Sequence, residues 1–165
     1  MNPNPPRALL APLATRFDVG SGGHHRVLGL GAPCFVIAEA GSNHNGSLAR
    51  ARELVEVAAA AGADAVKFQT FKAAKLYPKS AGTSDYLGDP TPIYDIIAKM
   101  EMPASWLAEL AELANSLGLC FISSPFHEDA VALLDPYVDA FKIASYELTH
   151  APLLRAVAAR NKPVL

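Results

Sequence analysis

Lys67, Lys142, Glu39 and Glu147 stand in or at the ends of three short apolar runs, residues 35–39, 63–69 and 139–147, that otherwise read as buried strands. An ionised group taken out of water costs several kcal/mol unless it is paired. Two ammonium and two carboxylate groups in such places are therefore either one another's partners or tools of chemistry. Lys67 and Gln69 are two residues apart, so on a strand they point to one side, while Val66 and Phe68 point to the other. By the same alternation Phe35, Ile37 and Glu39 share a side. In a barrel of parallel strands that side can be the interior, and the strand ends are where chemistry sits. Ser145 and Glu147 follow Lys142 where its strand gives way to a loop, and Ser123 and Ser124 end a further apolar run, 119–124. Two cations, an amide and several hydroxyls make a cradle for an anion carrying phosphate or carboxylate, which lysine grips as a point charge. Lys67–Glu39 and Lys142–Glu147 ion pairs with no ligand are the competing arrangement.

The polar turn Asn43-His44-Asn45-Gly46 comes shortly after Glu39 and brings His44 within reach of a substrate at the same mouth. His24, His25, His127 and His150 are expected to be solvated or structural. Neither H-E-x-x-H nor C-x-x-C spacing occurs, so the sequence specifies no complete metal site.

The elements that must position these groups alternate regularly. Residues 16–19 and 24–30 flank a glycine-rich stretch, 20–23, and predict a β-hairpin. From Cys34 onward the pattern is strand, helix, strand, helix. Ser47 is a good N-cap for a helix that buries Leu48, Ala51, Leu54, Val55 and Ala58 and stops at Gly62. Pro103 opens a second helix with Trp106, Leu107, Leu110, Leu113, Ala114 and Leu117 on one face, ending at Gly118. Shorter helices are expected over 128–134 and 152–160. Residues 71–92 show no clear period and read as a long loop over the strand ends.

The fold class is therefore α/β, the N-terminal half of a (β/α)8 barrel preceded by a β-hairpin, with residues 1–15 a flexible tail and 16–165 an incomplete barrel domain. About four βα units fit in 165 residues, whereas a complete barrel needs on the order of 250. No G-x-G-x-x-G turn supports an open dinucleotide-binding sheet instead. The chain is 51% hydrophobic and 18% charged with a net charge of −2, which describes a soluble globular protein. No basic run or aromatic-interleaved basic patch points to nucleic acid, and no apolar stretch is long enough to span a membrane. Cys34 and Cys120 lie in apolar runs and are expected to be reduced thiols serving as small hydrophobes in a cytoplasmic protein.

Four motifs in register, residues 37–46, 62–69, 121–126 and 141–147, closely resemble the bacterial sialic acid synthases, the N-acetylneuraminate synthase family, with its spore-coat polysaccharide and pseudaminic or legionaminic acid synthase relatives. The resemblance runs from about Phe17 to Leu165. It implies condensation of phosphoenolpyruvate with an N-acetylated amino sugar such as N-acetylmannosamine, releasing phosphate. Carried onto this chain, it implies that Lys67, Lys142, Ser124 and Ser145 hold phosphoenolpyruvate, and that Glu39, Gln69 and Glu147 face the sugar and the reacting centre. Asn43 and His44 join them as candidate substrate contacts.

The resemblance also implies a divalent ion, manganese or magnesium. Its two histidine ligands are expected on later strands beyond Leu165, as are further phosphate contacts and a C-terminal domain. The full-length protein is expected to be a homodimer, and these residues alone are expected to be inactive. A Schiff-base aldolase using a strand lysine, or a non-catalytic partial barrel, is the alternative.

Overall fold

The computed structural model describes residues 16–20, 25–84 and 89–165. The expected tail, His24 with most of the hairpin's glycine-rich turn, and residues 85–88 lie outside them. The hairpin forms from β1 (Arg16–Val19) and β2 (Arg26–Gly29), antiparallel with Phe17 opposite Leu28. Strand alternation gives Phe17, Val19 and Leu28 one common apolar face.

The chain then enters β3 (Ile37–Gly41) and α1 (Leu48–Ala60). The first strand starts two residues later than the apolar run suggested, because Phe35 and Val36 precede the ladder. Cys34 is exposed, so the expectation of a second buried thiol is corrected: without strand neighbours on both sides, an apolar run does not bury its first residues. Ser47 caps α1 as expected, its Oγ accepting from Arg50 N–H at 3.3 Å. Gly62 (φ 76°) closes it in a left-handed turn, with Ala63 N–H donating to Ala58 C=O at 3.1 Å.

After β4 (Ala65–Thr70), the stretch expected to be an aperiodic loop contains α2 (Ala73–Leu76) and a small antiparallel pair, β5 (Thr83–Ser84) and β6 (Asp89–Pro92). It leads into α3 (Ile93–Lys99). These pieces are too short to show a period. They are tied down by Glu101, which accepts from Ala73 N–H and Lys72 Nζ, both at 2.7 Å. The helix expected from Pro103 opens as a 3-10 turn (Ala104–Trp106) and continues as α4 (Leu107–Ser116).

The rest of the chain holds β7 (Cys120–Pro125), α5 (Glu128–Leu134), β8 (Ala140–Phe141) and α6 (Ala151–Ala158). The fourth barrel strand is thus two residues long, and Lys142 follows its end rather than lying inside it. Its backbone still extends the ladder, with Lys142 N–H donating to Ser123 C=O at 3.1 Å.

Strands β3, β4, β7 and β8 form one parallel sheet in that order, and Phe141 bridges onward to Val164. Helices cover one face. Val66, Phe68, Phe121 and Phe141 pack there against Ala51 and Val55 of α1, Leu107 and Leu110 of α4, Val131 and Leu134 of α5, and Leu153 and Val157 of α6. Each fully buried phenylalanine contributes about 1.5–3 kcal/mol. The other face carries a second, smaller core of Ala65, Cys120, Ile122 and Ala140, plugged by Val19, Phe17 and Leu28 of the hairpin. The arrangement is that of the first half of a (β/α)8 barrel, with the hairpin closing the end from which the strands start.

Candidate functional site

Register fixes which side chains share the inner face. Glu39 lies opposite Lys67, Lys67 opposite Ile122, Gln69 opposite Ser124, and Ile122 opposite Ala140. Parallel partners point the same way, so each strand reads apolar at its start and polar at its finish. On β4 the inward row is Ala65, Lys67, Gln69; on β7 it is Cys120, Ile122, Ser124; on β8 it is Ala140, followed by Lys142. A hairpin-sealed apolar floor lies under a polar rim at the strands' C-terminal ends, where a (β/α)8 barrel carries its chemistry.

Lys67 is buried and ion-paired with Glu39, whose side chain is 52% exposed. The expectation of charges buried on both strands holds for Lys67 and not for Glu39, because β3 has a strand neighbour on one side only among the described residues. The backbone bends to allow the pair. The ladder slips between Glu39 and Gly41, which has φ 55°. A Cβ at Gly41 would lie 3.0 Å from Glu39 Oε1, 3.7 Å from Gln69 Nε2 and 3.9 Å from Asn43 Nδ2. Three polar head groups therefore converge over a bare Cα. Sequence reasoning missed Gly41; the available signal was a glycine within a strand, which marks a bulge or a close approach.

Ser124 is 1% exposed and its Oγ has no hydrogen-bond partner. Ser123 does not share its surroundings: its Oγ is bonded to Thr70 Oγ1 at 2.9 Å on the helix-facing side. Adjacent strand residues point to opposite faces, so only one of the two serines reaches the inner rim. Lys142 is half-buried and, among the described residues, in no ion pair.

Glu147, expected at the same mouth, bonds His150 Nδ1 at 2.9 Å instead. Ser145 is exposed at the start of a 3-10 turn (Ser145–Glu147). Neither is drawn to Lys67 or Ser124.

His44 is fully buried. Its Nδ1 accepts from Gly46 N–H at 3.1 Å, its Nε2 has no hydrogen-bond partner, and its ring meets Trp106 edge to face at 5.4 Å. Burial lowers its pKa, favouring the neutral imidazole that this acceptor role requires. His44 thereby pins the turn that carries exposed Asn43. His127 acts as helix cap for α5, its Nδ1 accepting from Ala130 N–H at 3.2 Å.

Among the described residues no three or more His, Cys, Asp or Glu side chains converge to hold a metal ion, and none of them forms a helix long and apolar enough to cross a membrane. A groove of about 720 Å³, lined by Asp18, Glu112, Tyr137 and Lys162 among others, opens near the starts of the strands. It shares no residue with the polar rim.

Comparison with known proteins agrees with this geometry. Residues 54–165 match the NeuB family. The chain is 43% identical over 143 residues to the spore coat polysaccharide biosynthesis protein SpsE of Bacillus subtilis, covering 86% of this chain and 38% of that one. The SpsE crystal structure superposes with a TM-score of 0.70 over 90% of this chain and 38% of its own. An N,N'-diacetyllegionaminic acid synthase of Legionella pneumophila is 42% identical over 137 residues, covering 80% of this chain and 38% of that protein. The N-acetylneuraminic acid synthetase of Leptospira borgpetersenii, solved with citrate, superposes with a TM-score of 0.73 at 26% identity, over 90% of this chain and 48% of that one. The chain spans less than half the length of each of these relatives. With a family match across residues 54–165 and superposition on solved relatives over 90% of its length, this chain belongs to the NeuB family.

Proposed function

We propose that these residues form the anion-binding side of an enzyme that condenses phosphoenolpyruvate with the open-chain form of an N-acetylated amino sugar, giving a nonulosonic acid and inorganic phosphate. The observation that carries the reading is the single inward rim of Lys67, Gln69, Ser124 and Lys142 above an apolar floor. Relatives named as legionaminic and neuraminic acid synthases support the substrate class.

In this reaction carbon 3 of the enol attacks the aldehyde carbon, and the aldehyde oxygen takes up a proton. Positive charge left at carbon 2 is captured by water, which gives up a proton, and phosphate then departs to leave a ketone. Lys67, Lys142 and the Ser124 hydroxyl would hold the phosphate and carboxylate of the enol. Glu39, beside Gln69 and Asn43, would stabilise the cationic centre and accept the proton from water. Ser145 and Glu147 would line the outer lip of the same mouth. Manganese or magnesium, if bound by the protein, would polarise the aldehyde; the described residues do not assemble a site for it, and their roles do not pass through it.

Calorimetric titration of Lys142→Ala tests the reading. The expected result is a phosphoenolpyruvate Kd raised about tenfold or more, the worth of a charged hydrogen bond, with amino-sugar binding nearly unchanged. Equal weakening for both ligands, or none for either, overturns it. Because Lys142 is in no ion pair among the described residues, a Schiff-base reaction at its amine is the second reading. Borohydride trapping with pyruvate would then leave a covalent adduct on Lys142.

A further inference from the structure

The two halves of the Lys67–Glu39 pair are held very unequally. Lys67 is fixed in the wall with its side chain 9% exposed, while the Glu39 side chain is 52% exposed. What receives the carboxylate is Gly41, where an added Cβ would stand only 3.0 Å from Glu39 Oε1. On the same inner face, one strand over from Lys67, the buried Ser124 hydroxyl has no partner among the described residues, and leaving such a group unsatisfied costs about 1–3 kcal/mol. Lys142, on the same inner row, has no carboxylate against it among the described residues. Among the described residues, then, Ser124 and Lys142 have no anion against them, whereas at Lys67 a carboxylate of the protein already sits in place.

We infer that Glu39 is an internal competitor: its carboxylate takes the anion position on Lys67, and a phosphate- or carboxylate-bearing ligand binds by displacing it. The inference rests on the proposed function and adds how that site is regulated. Two anions cannot share one largely buried ammonium without mutual repulsion, about 1 kcal/mol in water and about 4 kcal/mol near a protein surface at contact distance. Arrival of the ligand therefore turns the half-exposed Glu39 side chain away from Lys67. Its carboxylate, freed beside Gln69 and Asn43, becomes available as a base only once the anion is seated.

Glu39→Gln preserves shape and removes the charge; Glu39→Ala removes the group altogether. Inorganic phosphate and phosphoenolpyruvate are titrated separately into purified wild-type protein and both variants at fixed ionic strength. Both variants are expected to bind each anion about 3–10-fold more tightly, the equivalent of a partly exposed ion pair, and the gain is expected to vanish when Lys67→Met is added. Unchanged or weaker binding in both variants, in a protein whose wild-type form binds phosphoenolpyruvate and is weakened by Lys67→Met, overturns this inference alone. A wild-type protein that binds neither anion overturns the proposed function and this inference with it.

Discussion

Glu39 and Lys67 are register partners on adjacent parallel strands, and their side chains close an ion pair at the rim of the inner face. Pairing a nearly buried ammonium with a half-exposed carboxylate makes the two members unequal in energetic consequence. Lys67→Met keeps the stem's volume and removes both the desolvation cost and the charge, leaving Glu39 to hydrate. Stability is expected to change by no more than about 1 kcal/mol in either direction. Lys67→Ala also loses stem packing and is expected to cost about 1–3 kcal/mol. Urea midpoints at constant slope check the order; a larger loss for methionine than for alanine would contradict it.

Asp64 ties the hairpin to the barrel. Its carboxylate accepts from Val36 N–H at 2.9 Å and from Arg26 Nε at 3.0 Å. The backbone hydrogen bond from Val36, reinforced by Arg26 and opposed by burial, lowers its pKa. A carboxylate with a depressed folded pKa stabilises the fold above its unfolded pKa near 3.8, and that stability is lost as pH falls through the folded value. Asp64→Asn is expected to cost about 1–2 kcal/mol at neutral pH and to flatten the acid limb of the stability curve below about pH 4. Thermal melts between neutral and acid pH decide it; an unchanged acid limb would remove Asp64 from this role.

His44 works in a different pH window. Its pKa is lowered by burial, so the unfolded chain takes up a proton that the folded chain refuses. Stability is therefore full above the ordinary histidine pKa of 6.5 and declines as pH falls below it. His127 shares the direction for the same leading reason. His44→Asn keeps an acceptor for Gly46 and is expected to remove part of this decline while costing about 1–3 kcal/mol for the lost ring. Trp106, the single tryptophan, lies against His44, so in folded wild type its fluorescence is expected to hold steady as pH falls through the ordinary histidine value and to change only at the lower pH where folded His44 takes up its proton, with no such change in the variant. A response that persists in His44→Asn would place its source elsewhere.

The two cysteines are expected to separate by reactivity. Cys34 is exposed, whereas Cys120 is buried under the hairpin with its Sγ 3.8 Å from Val19 C=O and its pKa pushed up to about 11, chiefly by burial. A thiol reagent near neutral pH is expected to modify Cys34 quickly and Cys120 only after denaturant is added. Rapid reaction of both thiols would mean that the hairpin does not seal the floor.

Much of the fold could be read from local pattern. The span 128–134 for α5, the Ser47 cap and Gly62 stop of α1, and the common face of Lys67 and Gln69 all follow from periods of 3.6 and 2 residues. Where local pattern failed, the deciding contact came from elsewhere or the piece was too short to show a period. Phe35 and Val36 look like strand, but the paired register begins only at Ile37, with the Val36 C=O accepting from Asp64 and Ala65 N–H just before it; α2, β5 and β6 are only two to four residues long.

The sequence by itself determined the alternation of strands and helices, the apolar floor and the kinds of groups at the rim, because side-chain direction along a strand or helix is set by backbone sterics within a few residues. Only the tertiary structure decided how those groups are used. Register set Glu39 against Lys67, the slip at Gly41 let the carboxylate close, Thr70 took Ser123 on the helix-facing side while the Ser124 hydroxyl on the inner face met no partner among the described residues, and His150 rather than Lys142 took Glu147. Partnership between charges depends on distances and exposure across separate segments of chain, and no period along a single segment carries that information.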